Sequence, residues 1–214
     1  IETAGVKAAV MLQHRFKPSA RRLAVVLAEG GLGRMDGVSV RVPLWRPQSY
    51  YDVEGRGTRA RDGGGVLISQ AIHTIDLMRS LCGPIARVSG FAREGAGHAM
   101  ETEDIASAAL RFENGAIGTI DATTCAYPGN LERIEVIGTS GTASLAGTGL
   151  TLRWHDGRGE DLQPDSLPGG TGADPMAFDH AFHRAVWEDF LDAVDNKRMP
   201  AITPRDALQT HYLI

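Results

Sequence analysis

The sequence predicts a single α+β domain in which helices cover one face of an open, predominantly antiparallel sheet. Six short strand-like segments follow one another between residues 85 and 155, separated by turn-forming residues. Successive hairpin connections of this kind favour antiparallel pairing. Helix patterns lie before and after these segments, and they supply the cover that one face of such a sheet needs. Because the helices are too few to cover both faces, we also expect a homo-oligomer that assembles through the other face.

The first quarter of the chain predicts a strand, a helix, a second strand and a loop. Val6 to Leu12 is mostly apolar, which is typical of a buried strand. Pro18 to Glu29 is amphipathic and is followed by a glycine pair that ends a helix. Asp36 to Leu44 alternates valine with polar residues and predicts a half-buried strand. Residues 45 to 61 have no periodicity and predict a long loop.

The segment from Asp62 to Gly83 predicts one uninterrupted helix, with Asp62 as its N-cap and Gly83 as its end. Three glycines follow Asp62, and they indicate close approach of another backbone or of a ligand. On a helical wheel, apolar residues fill one broad arc, whereas a narrow polar stripe holds Ser69, His73, Asp76 and Ser80.

The rest of the chain predicts the strands and a further helix. The dipeptide Asn114-Gly115 favours a type I′ hairpin turn. A loop rich in glycine, proline and aspartate runs from Gly157 to Pro175 and leads to a helix from about Met176 to Asn196. The predicted strands are Ile85–Arg93, Asp104–Phe112, Ala116–Thr124, Glu132–Ile137, Thr142–Leu145 and Leu150–His155.

The polar stripe is the candidate catalytic site. An imidazole is suited to proton transfer near neutral pH, so His73 is a candidate acid/base group. Asp76 lies one turn on and is predicted to fix the tautomer of His73 by accepting from one ring nitrogen. Ser69 is predicted to bind a substrate oxygen. The alternative is that His73 is a structural or merely exposed histidine, and the residues alone leave both interpretations open.

Composition narrows the classes of function. The chain has 214 residues, 43% of them hydrophobic, and a net charge of −4 without a basic stripe, which argues against nucleic acid as a partner. The two cysteines have no spacing typical of a disulfide or zinc framework, and no metal is expected. His180 and His183 are only half of a metal site. No apolar run approaches the roughly 20 residues that span a bilayer, so we expect no membrane partner and a cytoplasmic location.

The chain resembles the C-terminal domain of the glucose–fructose oxidoreductase, inositol dehydrogenase and rhizopine-catabolism (Gfo/Idh/MocA) family. The resemblance covers nearly the whole chain in the right order. It rests on the following segments: WRPQSYYD at Trp45–Asp52, DGGGVLISQAIHTIDL from Asp62, EDIASAALRFENGAIGTIDATT at Glu103–Thr124, IEVIGTSGTASL at Ile134–Leu145 and FLDAVDNKRMPAITPRDAL at Phe190–Leu208.

This resemblance implies an NAD(P)-dependent oxidoreductase. In such enzymes an N-terminal Rossmann domain holds the dinucleotide and a catalytic lysine in a Glu-Lys-Pro motif. The present sequence contains neither that motif nor a G-x-G-x-x-G fingerprint. We therefore expect residues 1 to 12 to be the tail of a missing dinucleotide-binding domain. NAD or NADP is expected in the full-length protein and none on this fragment.

Several further residues are candidates for the site. The resemblance implies that Gln13, His14 and Arg15 lie near the nicotinamide, with Gln13 as a candidate cofactor contact and Arg15 as a candidate substrate contact, although a strand-end hydrogen-bonding cluster explains all three equally well. It also implies that His183 borders the substrate pocket. Trp45 and Arg46 are candidates for lining the pocket, with Arg46 as an anion clamp. His98, Glu101, Glu103 and Asp104 are expected in a solvated loop. Many family members have Asp or Asn where this chain has Ser69, which leaves the substrate class open.

Two hypotheses of function follow. In the first, the chain is the substrate-binding and oligomerisation domain of a dehydrogenase that acts on a sugar, polyol or cyclic dihydrodiol, with His73 as acid/base. In the second, it is a standalone, non-catalytic module that binds a ligand or assembles through its open sheet.

Overall fold

The strands form one open sheet in the computed structural model, which describes residues 3–163 and 180–214. The strand order is β2-β3-β4-β1-β5-β6-β7-β8. Only β1 and β4 run parallel among the described strands, and all other neighbours are antiparallel, which confirms the predicted fold class. The strands are β1 Met35–Pro43, β2 Ile85–Arg93, β3 Ile105–Phe112, β4 Ile117–Thr123, β5 Arg133–Gly138, β6 Gly141–Ala146, β7 Gly149–Trp154 and β8 Gly159–Leu162.

The helices supply the cover for one face of this sheet. They are α1 Pro18–Ala28, α2 Gln48–Tyr51, α3 Arg59–Asp62, α4 Ile72–Cys82, α5 Ala181–Asp195 and α6 Pro204–Leu213, together with a 3-10 turn at Gln13–Phe16 and a π turn at Leu67–Ala71. The main core joins α1 and α4 to the sheet, with Leu23, Met78 and Val40 fully buried. A smaller core of Leu12, Val186 and neighbours joins the 3-10 turn to α5.

The other face of the sheet is open. Along β5 the residues alternate strictly, with Ile134 and Val136 buried and Arg133, Glu135 and Ile137 exposed. This alternation places one half of the strand against the helices and leaves the other half exposed.

The predicted helix over Asp62–Gly83 is wrong in its first third. Asp62 ends α3 and accepts a hydrogen bond from the Gly57 amide at 2.7 Å, so it does not cap the later helix. Glu103, which is distant in the sequence, caps the start of this helix instead. Its carboxylate accepts from the amides of Gly65 and Leu67 at 3.0 and 3.3 Å.

The glycine run allows the Glu103 backbone to approach closely. The Glu103 carbonyl accepts from the Val66 amide at 2.7 Å, and a Cβ on Gly65 would lie 1.8 Å from that carbonyl oxygen. The predicted close approach is therefore made by a backbone segment.

Three other local predictions are corrected. Val6–Leu12 has no strand partner in the described part of the chain; its Val10 amide donates instead to the Ile202 carbonyl at 3.2 Å, and Leu12 packs in the smaller core. The hairpin at Asn114-Gly115 is a three-residue loop that returns through Gly115 at φ 92°, while Asn114 keeps negative φ, so it is not type I′. Residues 45–61 hold the one-turn helices α2 and α3.

The region after β7 also differs from prediction. Strand β8 forms within the predicted Gly157–Pro175 loop, where it adds an edge to the sheet by pairing with β7. The helix predicted from about Met176 is observed as α5, which begins at Ala181. Residues 176 to 179 lie outside the described ranges. None of the helices in the described ranges is long and apolar enough to cross a membrane.

Candidate functional site

Two histidines from distant parts of the chain lie against each other. His73 is in the first turn of α4, and His14 is in the 3-10 turn. Their ring centroids are 5.3 Å apart. The Nδ1 atom of each ring is buried and has no hydrogen-bond partner in the described residues. Buried polar atoms are normally paired, so the Nδ1 atom of His73 marks a place where a ligand can complete the bonding.

Both histidines are neutral at neutral pH. Burial is the main cause that lowers the pKa of His73 to about 4; the charges of His183 and Lys17 lower it further, while Asp76 opposes them. The pKa of His14 is also held well below its usual value, first by burial and then by Lys17, His73 and His183. A neutral imidazole has a free lone pair, so it accepts a proton from a hydroxyl group.

A carboxylate and an amine complete this cluster. The Glu132 carboxylate lies 3.5 Å from Nδ1 of His14 and accepts a hydrogen bond from the Thr74 hydroxyl on α4. Burial lowers the pKa of Lys17, and the charge of Glu132 partly opposes this effect. The predicted pocket residue His183 belongs to the same electrostatic cluster, because its charge acts on both imidazoles.

Asp76 does not orient His73. Its side chain is fully buried and accepts two hydrogen bonds from the Arg15 guanidinium at 2.6 Å each and one from the Thr210 hydroxyl at 2.9 Å. With these partners its carboxylate ties α4 to the 3-10 turn and to α6. The predicted tautomer-fixing bond to His73 is therefore absent from the described contacts.

Arg15 has a structural role like that of Asp76. Besides Asp76, it donates to the Asp206 carboxylate of α6 at 2.5 Å, and Arg79 donates to that carboxylate as well. The guanidinium that was predicted to bind substrate is thus committed to internal carboxylates. Gln13, the predicted cofactor contact, is 8% exposed, and its Oε1 atom has no partner in the described residues.

A polar cavity of about 250 Å³ adjoins the π turn that precedes α4, and neither His73 nor His14 lines it. Ser69 lines it, and the Ser69 hydroxyl donates to the Gly65 carbonyl at 2.7 Å. The oxygen of that hydroxyl keeps acceptor capacity. The cavity is lined by Tyr50, Tyr51, Arg56, Gly57, Arg61, Asp62, Gly64, Ser69, Gln70, Met100 and Thr102.

Arg46 and Trp45 do not line this cavity. Arg46 is 3% exposed and donates to the Gln70 side chain and to the Trp45 carbonyl at 3.0 Å each, which leaves its Nε without a partner among described residues. Trp45 forms an isolated β-bridge with Cys125 and packs edge-on against Tyr127. Arg46 therefore supports the cavity wall through Gln70, whereas the described contacts of Trp45 are with residues outside the lining.

The segment expected to be a solvated loop is partly buried. His98 is 8% exposed and Asp104 is fully buried, and the two are hydrogen-bonded at 2.7 Å. Glu103 caps the central helix as described above, and only Glu101 is exposed as expected.

The family comparison agrees with this architecture. A model of the GFO/IDH/MocA C-terminal domain matches residues 20–144. The chain belongs to the Gfo/Idh/MocA family. The predicted resemblance is therefore confirmed.

The individual relatives are dehydrogenases and oxidoreductases. The scyllo-inositol 2-dehydrogenase (NAD(+)) of Bacillus subtilis is 31% identical over an alignment of 157 residues, and the match covers 69% of this chain and 42% of that protein. The myo-inositol 2-dehydrogenase of Thermotoga maritima is 30% identical over an alignment of 134 residues, and the match covers 59% of this chain and 37% of the relative. The chain thus spans less than half the length of these curated relatives.

A crystal structure of the WlbA dehydrogenase from Bordetella pertussis, in complex with NADH and UDP-GlcNAcA, matches with a TM-score of 0.79 and 28% identity. The match covers 99% of this chain and 60% of that protein. The fold of this chain is therefore that of the corresponding part of a solved family member.

Sequence reasoning did not single out Lys17 or Glu132 as site residues of this Gfo/Idh/MocA domain. The sequence indicates His14 only together with Gln13 and Arg15, either near the nicotinamide or in a strand-end cluster, and not as a partner of His73. These residues join His73 through the fold, and no local spacing connects them to it. The available signal was compositional: three titratable or amide side chains, Gln13, His14 and Arg15, follow an apolar run, and such a change often marks an element end at a site.

Proposed function

We propose that this chain is the substrate-binding domain of an NAD-dependent dehydrogenase that oxidises a hydroxyl group of a sugar, polyol or cyclic diol, with His73 as the acid/base group. The observation that carries the proposal is the neutral, buried imidazole of His73, whose Nδ1 atom lacks a partner among described residues, in a domain of this family.

The chemistry matches this imidazole. Oxidation of an alcohol removes a hydride from carbon and a proton from the hydroxyl oxygen; NAD supplies the hydride acceptor when bound. His73 accepts the proton. Its low pKa keeps the imidazole unprotonated at neutral pH, so a ring nitrogen has a lone pair free to accept that proton. The adjacent imidazole of His14 keeps a second positive charge costly, which favours return of the proton to solvent.

In this proposal the chain contacts only the nicotinamide end of the dinucleotide. The unpaired, buried Oε1 of Gln13 fits a hydrogen-bond donor such as the carboxamide of nicotinamide. The phosphates and the catalytic lysine would be held by an N-terminal domain outside this sequence, since the fingerprint for pyrophosphate binding is not found within it.

Substrate class rests on the cavity beside Ser69. Hydroxyl, amide and guanidinium groups line it, from residues such as Ser69, Gln70 and Arg56, and they suit a hydroxyl-rich ligand. Two curated relatives are named as inositol dehydrogenases, and one solved relative holds a UDP-sugar acid. We propose a polyhydroxylated ring as the substrate.

The test is turnover by the full-length protein. NADH formation is followed by absorbance with scyllo-inositol, myo-inositol and a UDP-sugar acid as substrates. His73→Ala should lower kcat by roughly 10²–10⁴-fold, the usual contribution of a positioned acid/base group. Ser69→Ala should mainly raise KM if its hydroxyl binds the ground and transition states equally.

The matched control is His211→Ala, which removes an exposed histidine of α6. It should leave kcat unchanged. If wild-type protein turns over none of these substrates with NAD, the dehydrogenase assignment fails in favour of the assembly module. If turnover is present but His73→Ala keeps it, the family assignment stands and the acid/base assignment fails.

A further inference from the structure

We propose that His98, Asp104 and Cys125 form a binding site for a divalent transition-metal ion of the zinc class, separate from the His73 cluster. One ligand atom from each of the three residues lies within 4.8 Å of the others. His98 and Asp104 belong to the connection between β2 and β3, and Cys125 follows β4. The sequence-based expectation of no metal is replaced by this proposal.

The three ligand atoms lie close enough together for one ion to reach all of them. His98 Nδ1 lies 2.7 Å from Asp104 Oδ2, Cys125 Sγ lies 3.1 Å from the same oxygen, and Sγ and Nδ1 are 3.6 Å apart. A circle through these atoms has a radius of about 1.9 Å, shorter than zinc–ligand bonds of about 2.0–2.3 Å. An ion about 1 Å to one side of the plane reaches all three, and a tetrahedral arrangement requires His98 Nδ1 and Asp104 Oδ2 to move apart from 2.7 Å to about 3.3 Å.

The outer hydrogen bonds are those that orient metal ligands. His98 Nε2 is 2.8 Å from the Arg46 carbonyl oxygen, to which it donates, so Nδ1 faces the cluster. The second oxygen of Asp104 accepts from the Gly95 amide. A histidine that donates its other nitrogen to a carbonyl, and a carboxylate held by a backbone amide, are the usual outer contacts of a metal site.

The exchange of protons for an ion is electrically neutral. With Nε2 donating to a carbonyl, one further proton lies between His98 and Asp104, and the Cys125 thiol donates to the same carboxylate oxygen. A divalent ion replaces these two protons and leaves a neutral imidazole, a carboxylate and a thiolate. The net charge of this mostly buried cluster is then the same before and after binding, so no uncompensated charge is buried.

The ligand set selects the metal. Nitrogen, sulfur and oxygen donors together suit zinc and cobalt better than magnesium or calcium, which prefer oxygen alone. Cys125 is only partly buried, so solvent can supply a fourth ligand, as at zinc sites with three protein ligands.

The position of the site suggests its role. Trp45 pairs with Cys125, and the ring of Tyr51 lies 4.7 Å from that of His98 while the Tyr51 hydroxyl donates to Thr124. Tyr51 also lines the polar cavity. An ion bound here ties the cavity wall to the ends of β3 and β4, so we assign it a structural role for the substrate pocket.

The experiment is metal binding to the full-length, tag-free protein. After dialysis against zinc and then metal-free buffer, mass spectrometry of the metal content should give one zinc per chain. Titration with Co²⁺ should produce a thiolate-to-cobalt charge-transfer band in the near ultraviolet. Cys125→Ser keeps a donor to Asp104 but should abolish the band and weaken zinc binding by about 10²-fold or more, beyond the loss of an outer contact.

His155→Gln, which changes an exposed histidine, is the control and should bind zinc as the wild type does. Circular dichroism checks folding of each variant. If Cys125→Ser does not fold, the wild-type cobalt band and the stoichiometry decide. Absence of both from the wild type, or equal zinc affinity in a folded Cys125→Ser, overturns the proposal and leaves a hydrogen-bonded cluster only.

Discussion

The carboxylate of Asp76 is fully buried and joins three separate elements through Arg15 and Thr210. The helical pattern placed Asp76 correctly on the same turn-by-turn stripe as His73. It could not reveal that Arg15, sixty-one positions away, would occupy both oxygens. Spacing along one helix reports which side chains share a face, but the partner of a buried charge is chosen by tertiary packing.

We therefore expect Asp76→Asn to act on stability. The substitution leaves the Arg15 guanidinium without one of its two carboxylates, and breaking a buried ion pair costs about 3–5 kcal/mol. Chemical denaturation of the full-length protein measures the loss. Asp195→Asn, at an exposed position of α5, should change the unfolding free energy by less than about 0.5 kcal/mol. An unchanged denaturation midpoint together with a large fall in kcat would return Asp76 to a catalytic role.

The buried imidazoles make stability depend on pH. In the folded state burial lowers the pKa of His73 to about 4, whereas an unfolded histidine titrates near about 6.5. Between these values the unfolded state binds more protons, so stability rises with pH through this window and falls as the solution is acidified. The lowered pKa of His14 acts with the same sign.

Denaturant titrations at several pH values between about 7 and 4 test this dependence. His73→Gln should lose less stability on acidification than the wild type, because it has no buried imidazole to protonate there. His155→Gln, exposed and distant in sequence, should follow the wild-type curve. Parallel curves for wild type and His73→Gln would show that the imidazole is not held neutral by burial.

The start of the central helix shows what local signals decide within one element. Its C-terminal end at Gly83 was predicted correctly, because glycine and proline act locally on the backbone. Its N-terminal cap was not. Asp62 directly precedes the glycine run in the sequence, whereas Glu103 is 38 positions from Gly65, and only the fold brings its carboxylate to the amides of Gly65 and Leu67. The π turn at Leu67–Ala71 has no sequence signature of comparable strength.

Gly65→Ala should lower the stability of the folded state, because the Glu103 backbone lies against Gly65. The added Cβ would lie 1.8 Å from the Glu103 carbonyl oxygen. The segment before β3 and the start of the central helix would therefore have to move apart. We expect a loss of about 3 kcal/mol or more, the upper range for overpacking, seen as a fall in Tm of roughly 6–12 °C.

Gly63→Ala is the matched control two positions earlier. Gly63 has φ 77° and open space around it, so alanine there meets only backbone strain of about 1–2 kcal/mol. Differential scanning calorimetry of both variants makes the comparison. An equal or smaller fall in Tm for Gly65→Ala would mean that Glu103 does not press against the glycine run.

At the level of the whole molecule, the class and the strand succession were predictable because alternation and turn residues are local. The parallel pairing of β1 with β4 was not, since it joins strands separated by the central helix and two other strands. Long-range pairing of this kind carries little signal in one sequence. The same holds for the His14–His73 contact that defines the candidate site.

The open face of the sheet leads to the last prediction, a homo-oligomer. Ile117 and Ile137 are 64% and 54% exposed on this face, among small residues such as Ala109 and Ser107 that allow close approach of a second copy. We expect the full-length protein to be an oligomer in size-exclusion chromatography with light scattering at micromolar concentration.

Ala109→Arg, at the middle of β3 on the open face, should shift this protein toward monomer, because a long charged side chain in the interface would separate the two sheets. Ala24→Arg on the exposed side of α1 is the control for an added arginine and should keep the wild-type mass. Circular dichroism establishes that both variants are folded. A monomeric wild type would remove the sheet face from the list of interfaces, whereas an oligomer that tolerates Ala109→Arg would place the interface elsewhere on the molecule.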